Sequence, residues 1–183
     1  MRFKLRAATE ADRKEIAAMI TASVRGLQAE DYTAAQMEGA LATVFTIDSQ
    51  LIADGTYLVA VAEDGSLAGC GGWSYRKTLY GGDHFARVSE PERLEPGVDA
   101  AKIRAIFVHP AYARQGVGSA LLGAAEEAAV GAGFRRFEMG STLTGVSLYV
   151  RKGYRETGRV SAPVGGGEQI EVVLMSKAVD RLS

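Results

Sequence analysis

The residues best placed to do chemistry lie between positions 101 and 131. An apolar run from Ile103 to Val108 ends in His109-Pro110, residues 113 to 118 read ARQGVG, and an alanine- and leucine-rich stretch follows. Strand, glycine loop and helix in that order leave a row of backbone N–H groups without intrahelical partners at a helix N-terminus, and such groups bind anionic oxygens. Two nucleotide-binding patterns fail here. The lysine-bearing phosphate loop needs Lys after its last glycine, but Gly118 is followed by Ser119 and Ala120. The dinucleotide fingerprint needs a small residue three positions after Gly118, where Leu121 stands. Elsewhere, Cys70 is the single cysteine, which excludes an intramolecular disulfide. As a nucleophile it would need a base that nothing fixed in the sequence supplies, and it reads, like Trp73, as a core residue more than a functional one. No His, Cys and Asp cluster has metal-ligand spacing, so no metal is expected.

The elements that position this stretch follow from pattern. With 183 residues, one domain spanning 1–183 is expected, carrying a long loop at 76–100 before the central strand. The chain is 47% hydrophobic and 23% charged with a net charge of −1, which gives no electrostatic reason for a nucleic acid or membrane partner. No signal-type or membrane-spanning apolar run is visible, and a cytoplasmic protein is expected. Phe3 to Arg6 alternates as a short strand, and Thr9 to Asp12 resembles a helix cap before Ile16, Met19, Ile20, Val24 and Leu27 at helical spacing. Thr33 to Gln36 caps a second helix with Met37, Ala40, Leu41 and Val44 on one face. Tyr57–Ala62 and Leu67–Tyr75 flank an Asp-Gly turn and predict an antiparallel hairpin, with Gly69, Gly71 and Gly72 marking a bulge or a close backbone approach. In the central strand, alternation predicts Ile103, Ala105 and Phe107 on one face and Arg104, Ile106 and Val108 on the other. A helix ending at Gly131 and Gly133, a strand from Phe134 to Gly140, and a closing hairpin around Gly165–Gly167 complete the reading.

A second motif follows the strand at 134–140: Thr142, Gly145, Leu148-Tyr149 and then Gly153-Tyr154. Together with Val108-His109-Pro110 and the loop containing Gly116 and Gly118, this resembles the GCN5-related N-acetyltransferases. That family carries Arg/Gln-x-x-Gly-x-Gly/Ala after a strand ending Val-His-Pro, and then Asn-x-x-Ala-x-x-Leu/Phe-Tyr. Ala113 departs from the first pattern, with Arg114 or Gln115 as substitutes, and Thr142 and Gly145 stand at the Asn and Ala positions of the second. The resemblance covers residues 57 to 160. It implies an α/β (α+β) fold with a mixed, mostly antiparallel central sheet flanked by about four helices. It further implies that acetyl-CoA is held by Ile106, Phe107 and Val108 on the strand, by Ala113, Arg114, Gln115, Gly116, Val117, Gly118 and Ser119 in the loop, and by Thr142 and Tyr149.

The function implied is transfer of acetyl from acetyl-CoA to a primary amine, on a small molecule, protein or peptide, by direct attack in a ternary complex. Amines are mostly protonated at neutral pH, with reference values of ~10.4 for lysine and ~8 for an α-amine, so a proton must leave before attack. A tyrosine hydroxyl, reference ~10, can donate to the departing thiolate, and Tyr149 matches the family's acid position. N–H groups near Phe107 and Val108 could polarise the thioester carbonyl. The base stays open among water, His84 and the carboxylates of Glu63, Asp99 and Glu138; His109, before Pro110, reads as a turn residue. Candidate acceptor-pocket residues are Trp73, Ser74 and His84, with Tyr80, Asp83 and Arg87 of the long loop and Asp31, Tyr32 and Phe45 to Asp48 near the second helix. Partners expected are acetyl-CoA and an amine, with a homodimer held open. Two alternatives remain: a non-catalytic CoA- or acyl-CoA-binding regulatory module, suggested by Ala113 and the missing strand carboxylate, and a generic phosphate-binding domain.

Overall fold

The computed structural model describes residues 2–80, 83 and 92–180. In chain order they form β1 (Phe3–Ala7), α1 (Arg13–Leu27), α2 (Ala34–Leu41), α3 (Ser49–Asp54), β2 (Tyr57–Ala62), β3 (Leu67–Ser74), β4 (Ala101–Val108), α4 (Val117–Gly131), β5 (Arg136–Thr142), α5 (Val146–Arg151), β6 (Arg155–Pro163) and β7 (Gln169–Ala178). The strands make one sheet in the order β1-β2-β3-β4-β5-β7-β6. Every neighbouring pair is antiparallel except β4 with β5. The mixed, mostly antiparallel sheet is therefore the expected one, with five α-helices because α3 and α5 are each six residues long. Among the described residues no helix is long and apolar enough to cross a membrane.

Local chemistry explains the helix starts. Asp12 accepts the backbone N–H of Thr9 at 2.8 Å and takes both ends of the Arg6 guanidinium at 2.7 and 2.8 Å, tying β1 to the entry of α1. The Arg6 guanidinium holds the Asp12 carboxyl well below the usual carboxylate range. At α2, Thr33 Oγ1 accepts from Gln36 N and the Gln36 side chain accepts from Thr33 N, a reciprocal cap. The sheet separates two apolar layers. Ile16, Met19, Ile20 and Val24 of α1 pack with Tyr57, Val59 and Phe107 on one side. Leu122, Ala125 and Ala129 of α4 pack with Ile103, Phe137, Met139 and Tyr149 on the other.

The glycines of β3 answer two close approaches. A Cβ on Gly72 would stand 2.2 Å from the Thr56 carbonyl, and one on Gly69 would stand 2.8 Å from the Phe107 carbonyl and 2.9 Å from Val117 of α4.

The alternation expected for β4 is overturned by a bulge. Ala105 has φ 56°, and the β3–β4 register shifts so that Gly71 faces both Ala105 and Ile106. Arg104 and Ala105 consequently fall on one side with Phe107, while Ile103 and Ile106 share the other. A left-handed residue inside a strand breaks the period of two on which the sequence reading rested.

The base of the loop at 76–100 is pinned. Lys77 N donates to Glu92 O, Leu94 N to Tyr75 O, and Arg76 pairs with Arg93 as an isolated antiparallel bridge.

Candidate active site

The parallel neighbours β4 and β5 are joined only at Ala101↔Phe137 and Lys102↔Glu138. Past Lys102 the two strands part, and from Ile103 to Val108 β4 has no strand partner on the β5 side. The bulge at Ala105 contributes to this parting, since an extra residue bends and twists its strand. The gap is a cleft with a cavity of about 90 Å³, lined by Ile106 and Phe107 of β4, by Tyr149 of α5, and by Phe45 and Tyr80 from the loops. Phe45 and Phe107 meet edge to face at 5.8 Å.

The glycine loop lies beyond the C-terminal end of β4. Gly116, φ 85°, is the N-cap of α4, and the first amide bonded within the helix is Ala120 N to Gly116 O. The N–H groups of Val117, Gly118 and Ser119 are thus the helix's unsatisfied donors. Gly118 lets the helix start lie against α5 and β4, for a Cβ there would stand 3.2 Å from Leu148 Cδ2 and 3.5 Å from Val108 Cγ2. Of the two substitutes for the missing first letter, Gln115 folds back to donate to the Ala111 carbonyl at 3.2 Å. Arg114, φ 61°, is exposed and makes no ion pair with a described residue. Ala113 is extended, with φ −61° and ψ 144°.

At the other motif, Thr142 caps the turn at Leu143–Gly145, its Oγ1 accepting from Gly145 N at 3.2 Å. Gly145 is small for a reason: a Cβ there would stand 2.9 Å from Ser141 Oγ and 3.0 Å from the Tyr149 ring. Tyr149 is 8% exposed, lines the cleft, and its hydroxyl bonds to no described residue. Burial pushes that hydroxyl above the ordinary tyrosine value, so it stays protonated throughout the neutral range. Its ring stands edge to face with Tyr154 at 5.8 Å. Tyr154 in turn donates to Glu126 of α4 at 2.8 Å, so the Gly-Tyr motif anchors the neighbourhood of Tyr149.

The far wall is built from side chains. Arg104 and Asp48, 7% and 2% exposed, approach to 2.7 Å, and Arg104 Nη1 also donates to the Thr78 carbonyl at 3.0 Å. Burial pushes Asp48 up and Arg104 down, and their mutual attraction opposes both. Asp48 Oδ1 accepts from Leu51 N as the cap of α3, while Asp83 accepts from Ser49 N and Oγ at 2.7 and 2.6 Å. The loop thereby reaches the cleft, where Tyr80 lies against Gly140. Tyr32 accepts from Leu143 N and donates to the Glu171 carbonyl, and Thr144 donates to Asp31. The helix-entrance candidates therefore brace the cleft's rim.

Other candidates sit elsewhere. Trp73 packs edge to face on Tyr75 and Phe134 in the α4-side layer, and Ser74 Oγ accepts from Arg76 N; neither lines the cleft. His84 and Arg87 lie outside the described residues. Among base candidates, Glu138 pairs with Lys102 at 2.5 Å, Asp99 accepts from Glu95 N, Glu63 is exposed in the hairpin turn, and His109 Nδ1 accepts from Ala111 N. Among the described residues no carboxylate lines the cleft, and no three His, Cys, Asp or Glu side chains gather as a metal site. Cys70 is buried, takes the Tyr57 hydroxyl at 3.2 Å and has its thiol pushed up to about 12 by burial, which makes it inert. Sequence reasoning missed Gln28, at the end of α1, which lines the cleft at 5% exposure. Nothing in its local pattern distinguishes it from a surface glutamine.

The sheet thus opens beside the free edge of β4, and the glycine-capped start of α4 follows that strand in the chain. The sequence signature of the acetyltransferase (GNAT) family matches residues 21–154, and the chain belongs to that family. It is accordingly an acetyl-CoA-dependent acetyltransferase by class. Among solved structures, a GCN5-related N-acetyltransferase from Rhodopseudomonas palustris is similar at 22% identity and TM-score 0.71, over 98% of this chain and 97% of that one. The PaiA N-acetyltransferase of Thermoplasma acidophilum, in complex with coenzyme A, is similar at 15% identity and TM-score 0.64, over 97% and 99%. An N-acetylglutamate synthase from Neisseria gonorrhoeae, complexed with coenzyme A and N-acetyl-glutamate, is similar at 19% identity and TM-score 0.60, over 99% of this chain and 36% of that one. No curated protein sequence matches the chain.

Proposed function

We propose that the protein moves acetyl from acetyl-CoA to a primary amine by direct attack in a ternary complex. The observation that carries this reading is the unpaired edge of β4 beside the free amides of α4, with Tyr149 lining the same cleft. The coenzyme A complexes among the similar structures support the choice of cofactor. The amides of Val117, Gly118 and Ser119 receive the pyrophosphate; the macrodipole contributes about 0.3–1 kcal/mol, so individual hydrogen bonds supply most of the affinity. The edge of β4 pairs with the pantetheine arm, and an N–H near Phe107 or Val108 polarises the thioester carbonyl. The amine, having lost a proton to water, attacks the carbonyl carbon; the N–C bond forms, the C–S bond breaks as Tyr149 gives its proton to the leaving sulfur, the nitrogen releases its second proton to water, and water returns a proton to the Tyr149 phenolate. Burial keeps the Tyr149 hydroxyl protonated at neutral pH, the form in which it can donate. Water is the assigned base because the cleft-lining described residues include no carboxylate.

Calorimetry tests the cofactor assignment, with saturable acetyl-CoA binding at micromolar concentration as the expected result and no binding as its refutation. The absence of a lining carboxylate also favours a second reading, a CoA-binding module without catalysis. Amine-dependent thiol release from acetyl-CoA separates the two, because only the enzyme produces it.

A further inference from the structure

The polar groups of the cleft constrain its second substrate. Gln28 is 5% exposed and lines the cavity, yet its carboxamide bonds to no described residue, and Oε1 is buried without a partner. Buried amides are normally satisfied, and this one has no partner among the described residues. The charge on the same wall is already spent, since the Arg104 guanidinium faces Asp48 at 2.7 Å and the Thr78 carbonyl at 3.0 Å. Among the described residues no carboxylate lines the space. Val44, Phe45, Phe107, Ile170 and Val172 line the space with apolar side chains, and Thr46, Ser141, Thr142 and Tyr149 add polar groups that carry no charge at neutral pH. The cavity of about 90 Å³ is several times the ~10–15 Å³ that one water needs, so it admits the end of a small organic molecule.

We infer that the acceptor is a small monoamine whose far end is an uncharged hydrogen-bonding group, an amide or a hydroxyl, received by the Gln28 carboxamide. The inference rests on the acetyltransferase reading and narrows its substrate. A second ammonium entering this space loses its water and finds no carboxylate, and a carboxylate finds a guanidinium whose charge is already matched. An amide or hydroxyl loses less and regains a hydrogen bond that Gln28 otherwise lacks.

Glycinamide, glycine and 1,3-diaminopropane have the same number of heavy atoms and differ in the charge of the far end. Titrated against the full chain loaded with coenzyme A and followed by ligand-observed NMR, glycinamide is expected to bind at least about tenfold more tightly than the other two. Q28L is expected to erase that advantage. Q28E, of similar size, is expected to turn the order toward 1,3-diaminopropane, a reversal that loss of packing does not produce. Equal binding of the three amines, binding by none, or an order unchanged in Q28E overturns the inference. Thiol release measured with the same amines tests the parent reading separately: the binding order without any release would sustain the pocket assignment and remove the transferase function.

Discussion

On one side of the parting between β4 and β5, the donors are main chain: the first turn of α4 and the free edge of β4. On the other side the wall is made of side chains drawn from distant parts of the sequence, Gln28 from α1, Phe45 from the segment after α2, Tyr80 from the long loop and Arg104 held by Asp48. A site made of backbone depends on glycines and on helix and strand boundaries, whereas a site made of side chains depends on tertiary packing. The first wall is suited to a ligand that does not change and the second to one that can.

The side-chain wall should be the more fragile. Asp48→Ala leaves Arg104 buried without its counter-charge, and we expect a loss of about 3–5 kcal/mol of folding stability, read as a lower urea midpoint. Replacing both partners with apolar residues, as in D48A/R104M, should recover most of it; no recovery would mean that the pair acts through something other than its charges. Between the walls stands Tyr149. Tyr149→Phe is expected to lower kcat by about 100-fold, roughly 2.7 kcal/mol, with acetyl-CoA affinity within about twofold. An unchanged kcat would remove the hydroxyl from proton transfer and leave the ring as packing against Tyr154.

The same division governs what could be read without coordinates. The antiparallel hairpin of β2 and β3, the helix caps at Thr9 and Thr33, and the glycine-capped start of α4 all follow from local rules, and local rules are written in consecutive residues. Gly145 stands at the position where the family carries alanine, and its small size answers the nearness of Ser141 and Tyr149. The faces of β4 were misassigned because a bulge at Ala105 has no local signal; alanine does not advertise a positive φ. Trp73, which the sequence offered both as a core residue and as a pocket candidate, fills the layer beneath α4. Gln28 and Asp48 carry no pattern, since their burial is imposed by elements far along the chain.

The main-chain wall can be perturbed without touching a side-chain contact. A Cβ at Gly116 meets nothing within 4 Å, so Gly116→Ala acts only through the backbone, whose φ of 85° costs an L-residue about 1–2 kcal/mol. If the turn relaxes to escape that strain, the amides of Val117 and Gly118 tilt, and acetyl-CoA affinity should fall about tenfold. Gly118→Ala lies in helical conformation and needs only a small shift of Leu148 Cδ2. A larger effect at Gly118 than at Gly116 would show that space, and not backbone conformation, governs this wall.

The smallest effect is expected where the side-chain wall is anchored, at the entry of α1, the helix that Gln28 follows as its C-cap. Asp12→Ala removes the carboxylate that closes onto Thr9 N and Arg6, with an expected cost of about 1 kcal/mol. Arg6 is half exposed, so solvent screens much of the pair and the hydrogen bond to the backbone carries a large share. Because the folded state holds Asp12 below its ordinary range, its contribution is fully present above about pH 4 and fades as the pH falls through the lower folded value. The difference in stability between the parent and D12A should therefore be constant near neutrality and shrink in acid. A difference that stayed constant into strong acid would assign the cost to the helix geometry and not to the charge. Acetyl-CoA affinity, which depends on the opposite wall, should stay the same in D12A.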